Sequence, residues 1–247
     1  MAARYAIYYT PPAGSALDAF ARHWLGRDVF TGETVAQPVV PGLSASRLAE
    51  LTAPPRGYGF HGTLKPPLRL AEGRTEAELD NSLEAFAQSH DAFETSPLAL
   101  AEIGRFIALV PASACPRLDE LAADAVRAFD PFRRPADDAE LARRRGTGLT
   151  ARQNVLLQRW GYPFVMEEFR FHLTLSGSVA DAAERARIFS HLAVLTRHLV
   201  GVPLRIDAVA LCTQAEEGGE FRIRRRVPLR TVSTRDPCRA EEPGAAD

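Results

Sequence analysis

The sequence predicts an α+β protein built from two related lobes, and three observations point there. β-patterned runs alternate with capped amphipathic helices and come in hairpin-like pairs, the pattern of helices packed against antiparallel sheet. The pattern F-H-x-T-L occurs twice, at Phe60–Leu64 and at Phe171–Leu175, each time in a strand-like run. The chain of 247 residues is 46% apolar and 8% aromatic, enough for a substantial core and too apolar for disorder.

Taken in order, residues 4–10 are aromatic and β-branched and read as a first strand stopped by Pro11 and Pro12. Ser15 followed by Asp18 reads as the cap of a helix that presents Leu17, Phe20, Trp24 and Leu25 and closes at Gly26. Residues 27–57 are rich in proline and glycine (Pro38, Pro41, Gly42, Pro54, Pro55, Gly57) and read as loop, with a short turn near 46–51. The first motif run, 59–67, follows and ends at Pro66 and Pro67. Thr75 and Glu78 form a capping box for a helix over 76–89, with Leu79, Leu83, Phe86 and Ala87 on one face.

Residues 98–110 read as two strands around Gly104, and Leu118 to Phe129 as a helix cut off by Pro131. Residues 137–160 read as two helical pieces split by Gly146-Thr147-Gly148, the second opened by a Thr150/Gln153 capping box. The second motif run, 169–177, reads as a strand. A helix over roughly 181–199 and strands near 204–213 and 221–229, joined by a turn at 216–219, complete the pattern. The expected organisation is one bilobal domain over residues 1–232 with interleaved lobes, followed by a disordered polar tail over 233–247.

Charge and cysteine content narrow the function classes. Thirty basic and 31 acidic side chains leave a net charge of -1 and a pI of about 6.6, so nothing global draws the chain to nucleic acid or to an anionic membrane. Lys65 is the single lysine among those basic residues. Cys115, Cys212 and Cys238 are far apart and form no C-x-x-C pair, which argues against a disulfide framework and a structural zinc site and for a reducing compartment. The N-terminal run reaches Pro11 too soon for a signal peptide, and no apolar run approaches the ~20 residues of a membrane helix. A soluble, cytoplasmic protein is expected.

The repeated motif carries the chemistry. Two histidines followed by x-Thr-Leu arise by accident roughly six times in 10,000 for a chain of this composition. On a strand, alternate residues share a face. His61, Thr63 and Lys65 are therefore expected on one face of the first run, with Phe60 and Leu64 in the core. His172, Thr174 and Ser176 are expected together on the second run, with Phe171, Leu173 and Leu175 buried. Two such strands across a groove offer two imidazoles and two hydroxyls to one small anion. A neutral imidazole can take a proton from water while a protonated one gives a proton to a leaving oxygen, and an ordinary pKa near 6.5 lets both forms coexist. Thr63, Thr174 and Lys65 would hold the phosphate.

In its wider context the motif pair resembles a known superfamily. Arg4-Tyr5-Ala6-Ile7-Tyr8, then Tyr58-Gly59-Phe60-His61-Gly62-Thr63-Leu64-Lys65-Pro66-Pro67, Leu141 to Arg145, Trp160-Gly161-Tyr162-Pro163 and Phe169 to Gly177 together resemble the two-histidine (2H) phosphoesterases. They are most similar to the branch found with phosphonate-utilisation (C–P lyase) genes, and the resemblance covers residues 4–230. It implies a duplicated two-lobe fold of the RNA ligase and cyclic phosphodiesterase kind, with antiparallel sheets lining a central groove and helices outside. It also implies His61 and His172 as acid and base, Thr63 and Thr174 as phosphate ligands, and a small cyclic phosphate or phosphate ester as substrate.

Around that centre, Tyr8 and Tyr5 lie on opposite faces of the first strand, so one of them lines the groove. Tyr58 and Tyr162 are placed to stack on a base or sugar, and an arginine of the Arg143–Arg145 run, taken as Arg145, to close over an anion as part of a lid. That run precedes Gly146-Thr147-Gly148 but lacks the spacing and lysine of a phosphate-binding P-loop. No H-x-H, H-E-x-x-H or acidic cluster accompanies either motif, so no metal and no cofactor is expected. His23, His90, His191 and His198 have no partner motif and read as surface or capping residues. The partner expected is a small phosphorylated substrate, not a membrane or nucleic acid. Two other functions share the pattern: a 2′,3′-cyclic phosphodiesterase acting on RNA or nucleotides, and a non-catalytic module that binds a nucleotide or phosphate ester.

Overall fold

A computed structural model describes residues 3–146, 148–216 and 218–231. It has an α+β architecture with two four-stranded antiparallel sheets. The first sheet orders its strands β2-β1-β7-β8, from Gly62–Leu68 (β2), Arg4–Tyr9 (β1), Ala208–Gln214 (β7) and Arg222–Pro228 (β8). The second orders β5-β4-β3-β6, from Leu173–Thr174 (β5), Phe106–Pro111 (β4), Phe93–Ile103 (β3) and Pro203–Ile206 (β6). Each sheet therefore carries one H-x-T motif at an edge strand, β2 in one and β5 in the other.

The helices form where caps and apolar spacing call for them. Ser15 caps α1 (Ala16–Leu25) by accepting from Asp18 N, and Gly26 closes it in the left-handed region at φ 76°. Thr75 and Glu78 make the reciprocal box that opens α3 (Glu76–Ser89). Helix α4 (Pro116–Phe129) starts with proline in its first turn, where the missing N–H costs nothing. Thr150 and Gln153 open α6 (Ala151–Trp160), after the short α5 (Asp138–Arg145). Helices α3 and α4 cover the outer face of the first sheet, α4 over β2 and α3 over β7 and β8, while α7 (Ala182–Leu195) packs on β3.

Four elements depart from the sequence reading. The first is α2, a helix over Ala45–Tyr58 in a stretch expected to be loop, with Pro54 and Pro55 inside it. Ser44 caps it, and one of the carbonyls that the prolines leave free finds another donor. Leu51 O, which residue 55 would have bonded, accepts from Gly177 N at 2.6 Å. The side chain of Arg56 donates back to Ala49 O at 2.9 Å and to Thr52 Oγ1 at 2.8 Å. A helix that reads as broken in sequence thus fastens the end of the second motif.

Second, the strand expected over 169–177 is ladder-paired only at Leu173–Thr174, opposite Leu109 and Ala108. Third, the strand expected over 204–213 is two strands in different sheets, because the chain crosses at Asp207, held by Arg226 Nη2 at 2.5 Å. Fourth, α7 ends at Leu195, where Thr196 turns its hydroxyl back on Leu192 O at 2.8 Å.

One core runs between the sheets and helices and includes Phe60, Leu64, Phe171, Leu173 and Leu175, the motif residues expected inside. A smaller cluster of Ala6, Tyr8, Ala210, Cys212 and Phe221 lines the opposite face of the first sheet. Cys115 and Cys212 are free thiols. Cys238 and the tail expected over 233–247 lie outside the described residues. No helix among the described residues is long and apolar enough to cross a membrane.

Candidate active site

The two motifs meet through Gly62 and Phe171. A Cβ at Gly62 would overlap two ring carbons of Phe171 and lie 3.1 Å from a third, so only glycine between His61 and Thr63 lets the second motif come this close. The ring of Phe171 also packs edge-on to Tyr9, centroids 6.0 Å apart, and Tyr9 is the register partner of Gly62. Behind the second motif, Trp24 Nε1 donates to Leu175 O at 2.7 Å in the buried interior. The motif histidines are near enough that the charge of His172 lowers the basicity of His61.

Both imidazoles are held by the same device. His61 Nδ1 donates to Gly59 O at 2.8 Å, and His172 Nδ1 donates to Arg170 O at 2.8 Å. In each case the acceptor is the carbonyl two residues earlier. That bond places the proton of the neutral ring on Nδ1 and leaves the Nε2 lone pair for chemistry. On His61, Nε2 accepts from Thr63 Oγ1 at 3.1 Å. Thr63 and Thr174 are both partly exposed, available to an incoming ligand.

Burial pushes the His61 pKa down to about 4, against the bond to Gly59 O, and the charge of His172 lowers it further. His172 is also lowered, by burial, with the bond to Arg170 O opposing. A phosphate anion in the groove would counter both shifts. Repulsion between the two charges disfavours a proton on both rings at once.

Aromatic rings frame the histidines. Of the two tyrosines, Tyr8 is the one on the side of His61: it is 1% exposed and stacks on that ring, centroids 3.8 Å apart. Tyr5 turns the other way and donates to Glu76 of α3. Tyr58, 39% exposed, stacks on Phe221 at 5.3 Å and lies tilted 6.0 Å from His61. Tyr162 lies close enough to Tyr8 to influence its hydroxyl, and Arg144 covers the Tyr162 ring at 5.5 Å. Phe106, which the sequence did not single out, stands 5.5 Å from the His172 ring.

Three expectations are corrected. Lys65 does not share the face of His61 and Thr63. It is 1% exposed and its Nζ donates to Asp130 Oδ1 at 2.9 Å and, more weakly, to Val126 O at 3.4 Å. The cause is a β-bulge: Thr63 pairs with Tyr8 and Lys65 with Ile7, so two residues of β2 advance against one of β1 and the alternation is lost at Leu64. Lys65 thus joins Ile7 on the helix side of the sheet.

Ser176 is also turned inward, where its hydroxyl accepts from Ile107 N at 3.0 Å and donates to Gly177 O at 3.0 Å. Arg145 sits exposed at the end of α5, and its neighbour Arg144 is the one that reaches Tyr162, anchored by Glu140 one turn earlier at 2.8 Å.

Arg4 was missed as well. It lies two and four residues before Ala6 and Tyr8, so the same alternation puts it on the groove face, where it stands 5.4 Å over Phe221. No group of three or more His, Cys, Asp or Glu among the described residues is arranged to hold a metal ion.

Similarity to known proteins is extensive in sequence. The chain is 38% identical over 230 residues to "Ribose 1,5-bisphosphate phosphokinase PhnN" of Janthinobacterium sp. (strain Marseille), covering 92% of this chain and 51% of that protein. It is 37% identical over 227 residues to the protein of the same name from Laribacter hongkongensis (strain HLHK9), covering 92% and 52%. The chain thus spans about half the length of these curated relatives. Among solved structures it is similar to E. coli LigT complexed with 3′-AMP, with a TM-score of 0.41 and 15% identity over 93% of this chain and 99% of that one. The model of a family described as "Protein of unknown function (DUF1045)" matches residues 63–222, more than half of the chain, and the protein belongs to that family.

Proposed function

We propose that the chain is a 2H-type phosphodiesterase that opens a small cyclic phosphate of a ribose sugar, in the phosphonate-catabolic setting that its motifs resemble. One observation carries the reading. Two histidines from equivalent edge strands each spend Nδ1 on the carbonyl two residues before, so two Nε2 atoms are left to work on one anion.

Water attacks phosphorus and gives its proton to Nε2 of neutral His61. The bond from phosphorus to the ring oxygen breaks, and Nε2–H of protonated His172 supplies that oxygen with a proton. One water is consumed, a cyclic diester monoanion becomes a monoester, and solvent returns the proton from His61 to His172. Thr63 and Thr174 donate to the nonbridging oxygens as charge builds there. Each proton transfer contributes about 10²–10⁴-fold, or about 3–5 kcal/mol of barrier.

The relatives' name supports a ribose phosphate as the ligand class. The kinase activity in that name is not proposed for this chain. Its one lysine, Lys65, follows a leucine and is buried against Asp130, so no G-x-x-x-x-G-K-[S/T] loop exists here. A ring-opening that leaves the phosphoryl on the anomeric oxygen would yield the 1-phosphate that the named kinase substrate carries.

The test is phosphorus NMR of the purified protein, in EDTA, with ribose 1,2- and 1,5-cyclic phosphates, nucleoside 2′,3′-cyclic phosphates and 3′,5′-cyclic nucleotides. A ribose cyclic phosphate is expected to be opened, and His61→Ala and His172→Ala each to abolish turnover. Turnover confined to the nucleoside 2′,3′ esters, or surviving in either variant, would refute the proposal.

A further inference from the structure

We propose that the groove takes a sugar bearing a second phosphoryl group, whose phosphomonoester seats in an arginine-lined pocket beside the histidine pair. This deepens, and rests on, the phosphodiesterase reading above. The pocket is lined by six arginines, Arg4, Arg69, Arg133, Arg134, Arg143 and Arg144, with Glu140 the one carboxylate among its lining residues. Asp130 and Glu140 compensate Arg133 and Arg144, a bound anion would compensate the exposed Arg134 and Arg143, and the planar guanidinium fork suits the oxygens of a phosphomonoester. Arg134 and Arg143 are exposed and make no ion pair among the described residues.

The pocket continues the groove. Arg4, Ala6 and Tyr8 share one face of β1, and Tyr8 is the ring stacked on His61. The charge of Arg4 reaches the Tyr8 hydroxyl, and Arg144 covers Tyr162, whose hydroxyl also influences Tyr8. Four residues of strand separate Arg4 from Tyr8, roughly 13 Å before the long side chains shorten the gap. A phosphorylated pentose is of that scale, and a single phosphate is not.

The arginines are also built in. An antiparallel bridge joins Leu70 to Arg133, and Arg134 N donates to Arg69 O at 2.8 Å, so two chain segments bring three of the six together. Arg133 is fixed by Asp130 at 2.8 Å and by Arg159 O at 3.1 Å. Asp130 in turn holds Lys65 of the motif strand, so one partly buried network links this wall of the pocket to β2. Gly161, at φ +72°, leaves the room Arg133 occupies: a Cβ there would stand 3.1 Å from its Cδ and Nη1.

The test compares ribose 1,2-cyclic phosphate with its 5-phosphorylated form. The wild type is expected to prefer the second by about 100-fold in kcat/KM, the scale of two charge-assisted hydrogen bonds, and the Arg134→Ala/Arg143→Ala double variant to lose most of that ratio. Equal kcat/KM for the two esters would overturn the pocket and leave the phosphodiesterase reading standing. Calorimetry with ribose 5-phosphate reads the pocket without turnover. Saturable binding that weakens about 10-fold or more in the double variant supports it, and no binding up to about millimolar concentration overturns it. If no cyclic phosphate is opened while that arginine-dependent binding persists, the phosphodiesterase reading falls and the pocket stands.

Discussion

Substituting Gly62 by alanine tests how the two motifs are held together. Glycine is not required there for a left-handed backbone; the constraint is the ring of Phe171. The added methyl would overlap that ring, which cannot retreat freely: it is 7% exposed and packed against Tyr9 at 6.0 Å. Overpacking of this kind costs about 1–3 kcal/mol. Whatever relieves it moves one histidine relative to the other, because His61 and Thr63 flank Gly62 and His172 follows Phe171 directly. A misplacement of about 1 Å between catalytic groups lowers rate on the order of 100-fold.

Gly62→Ala should therefore lower the melting temperature and reduce kcat/KM on the cyclic phosphate by about that factor. Gly62→Ala/Phe171→Leu, which removes the ring edge, should recover part of the stability, with a coupling of about 0.5–3 kcal/mol in a double-mutant cycle. A Gly62→Ala protein that melts with the wild type, or one whose loss is additive with that of Phe171→Leu, would refute the steric account.

Three further predictions follow from the same contacts. Lys65→Met should destabilise the fold by about 1–3 kcal/mol, less than a fully orphaned charge because Arg133 still holds Asp130, while kcat/KM per folded molecule stays within about threefold. A 100-fold loss of activity at unchanged melting temperature would instead make Lys65 a ligand contact. With its folded pKa near 4 against an ordinary 6.5, His61 is protonated later in the folded than in the unfolded chain. Stability should fall as pH drops from about 6.5 to 4, by at most about 3 kcal/mol, since a partly exposed ring keeps some solvent. Melts of wild type and His61→Gln across that window should converge at the acid end, and parallel curves would exclude the effect. Trp24→Phe removes the donor to Leu175 O and should cost about 1–3 kcal/mol, read by denaturant titration, with unchanged stability as the contrary result.

The sequence determined the local features. Capping boxes at Thr75 and Thr150, the stop at Gly26, the hairpin around Gly104 and the buried residues of both F-H-x-T-L runs are set by interactions within a few residues, and all were legible. The motif itself singled out His61, Thr63, His172 and Thr174, because a pattern repeated at that length is hard to reach by chance.

What tertiary structure decided were the features that depend on a partner distant in sequence. The bulge that turns Lys65 toward Asp130 arises from pairing β2 with β1, and simple alternation along β2 cannot show it. Helix α2 tolerates Pro55 because Gly177 N serves the Leu51 carbonyl that it frees, and Gly177 lies far along the chain. Tyr8 rather than Tyr5 faces His61 because α3 covers the other side of the sheet. The arginine pocket gathers residues from β1, the end of β2, the 132–134 turn and α5. Each of these outcomes turns on contacts between segments that only the folded sheets and helices bring together.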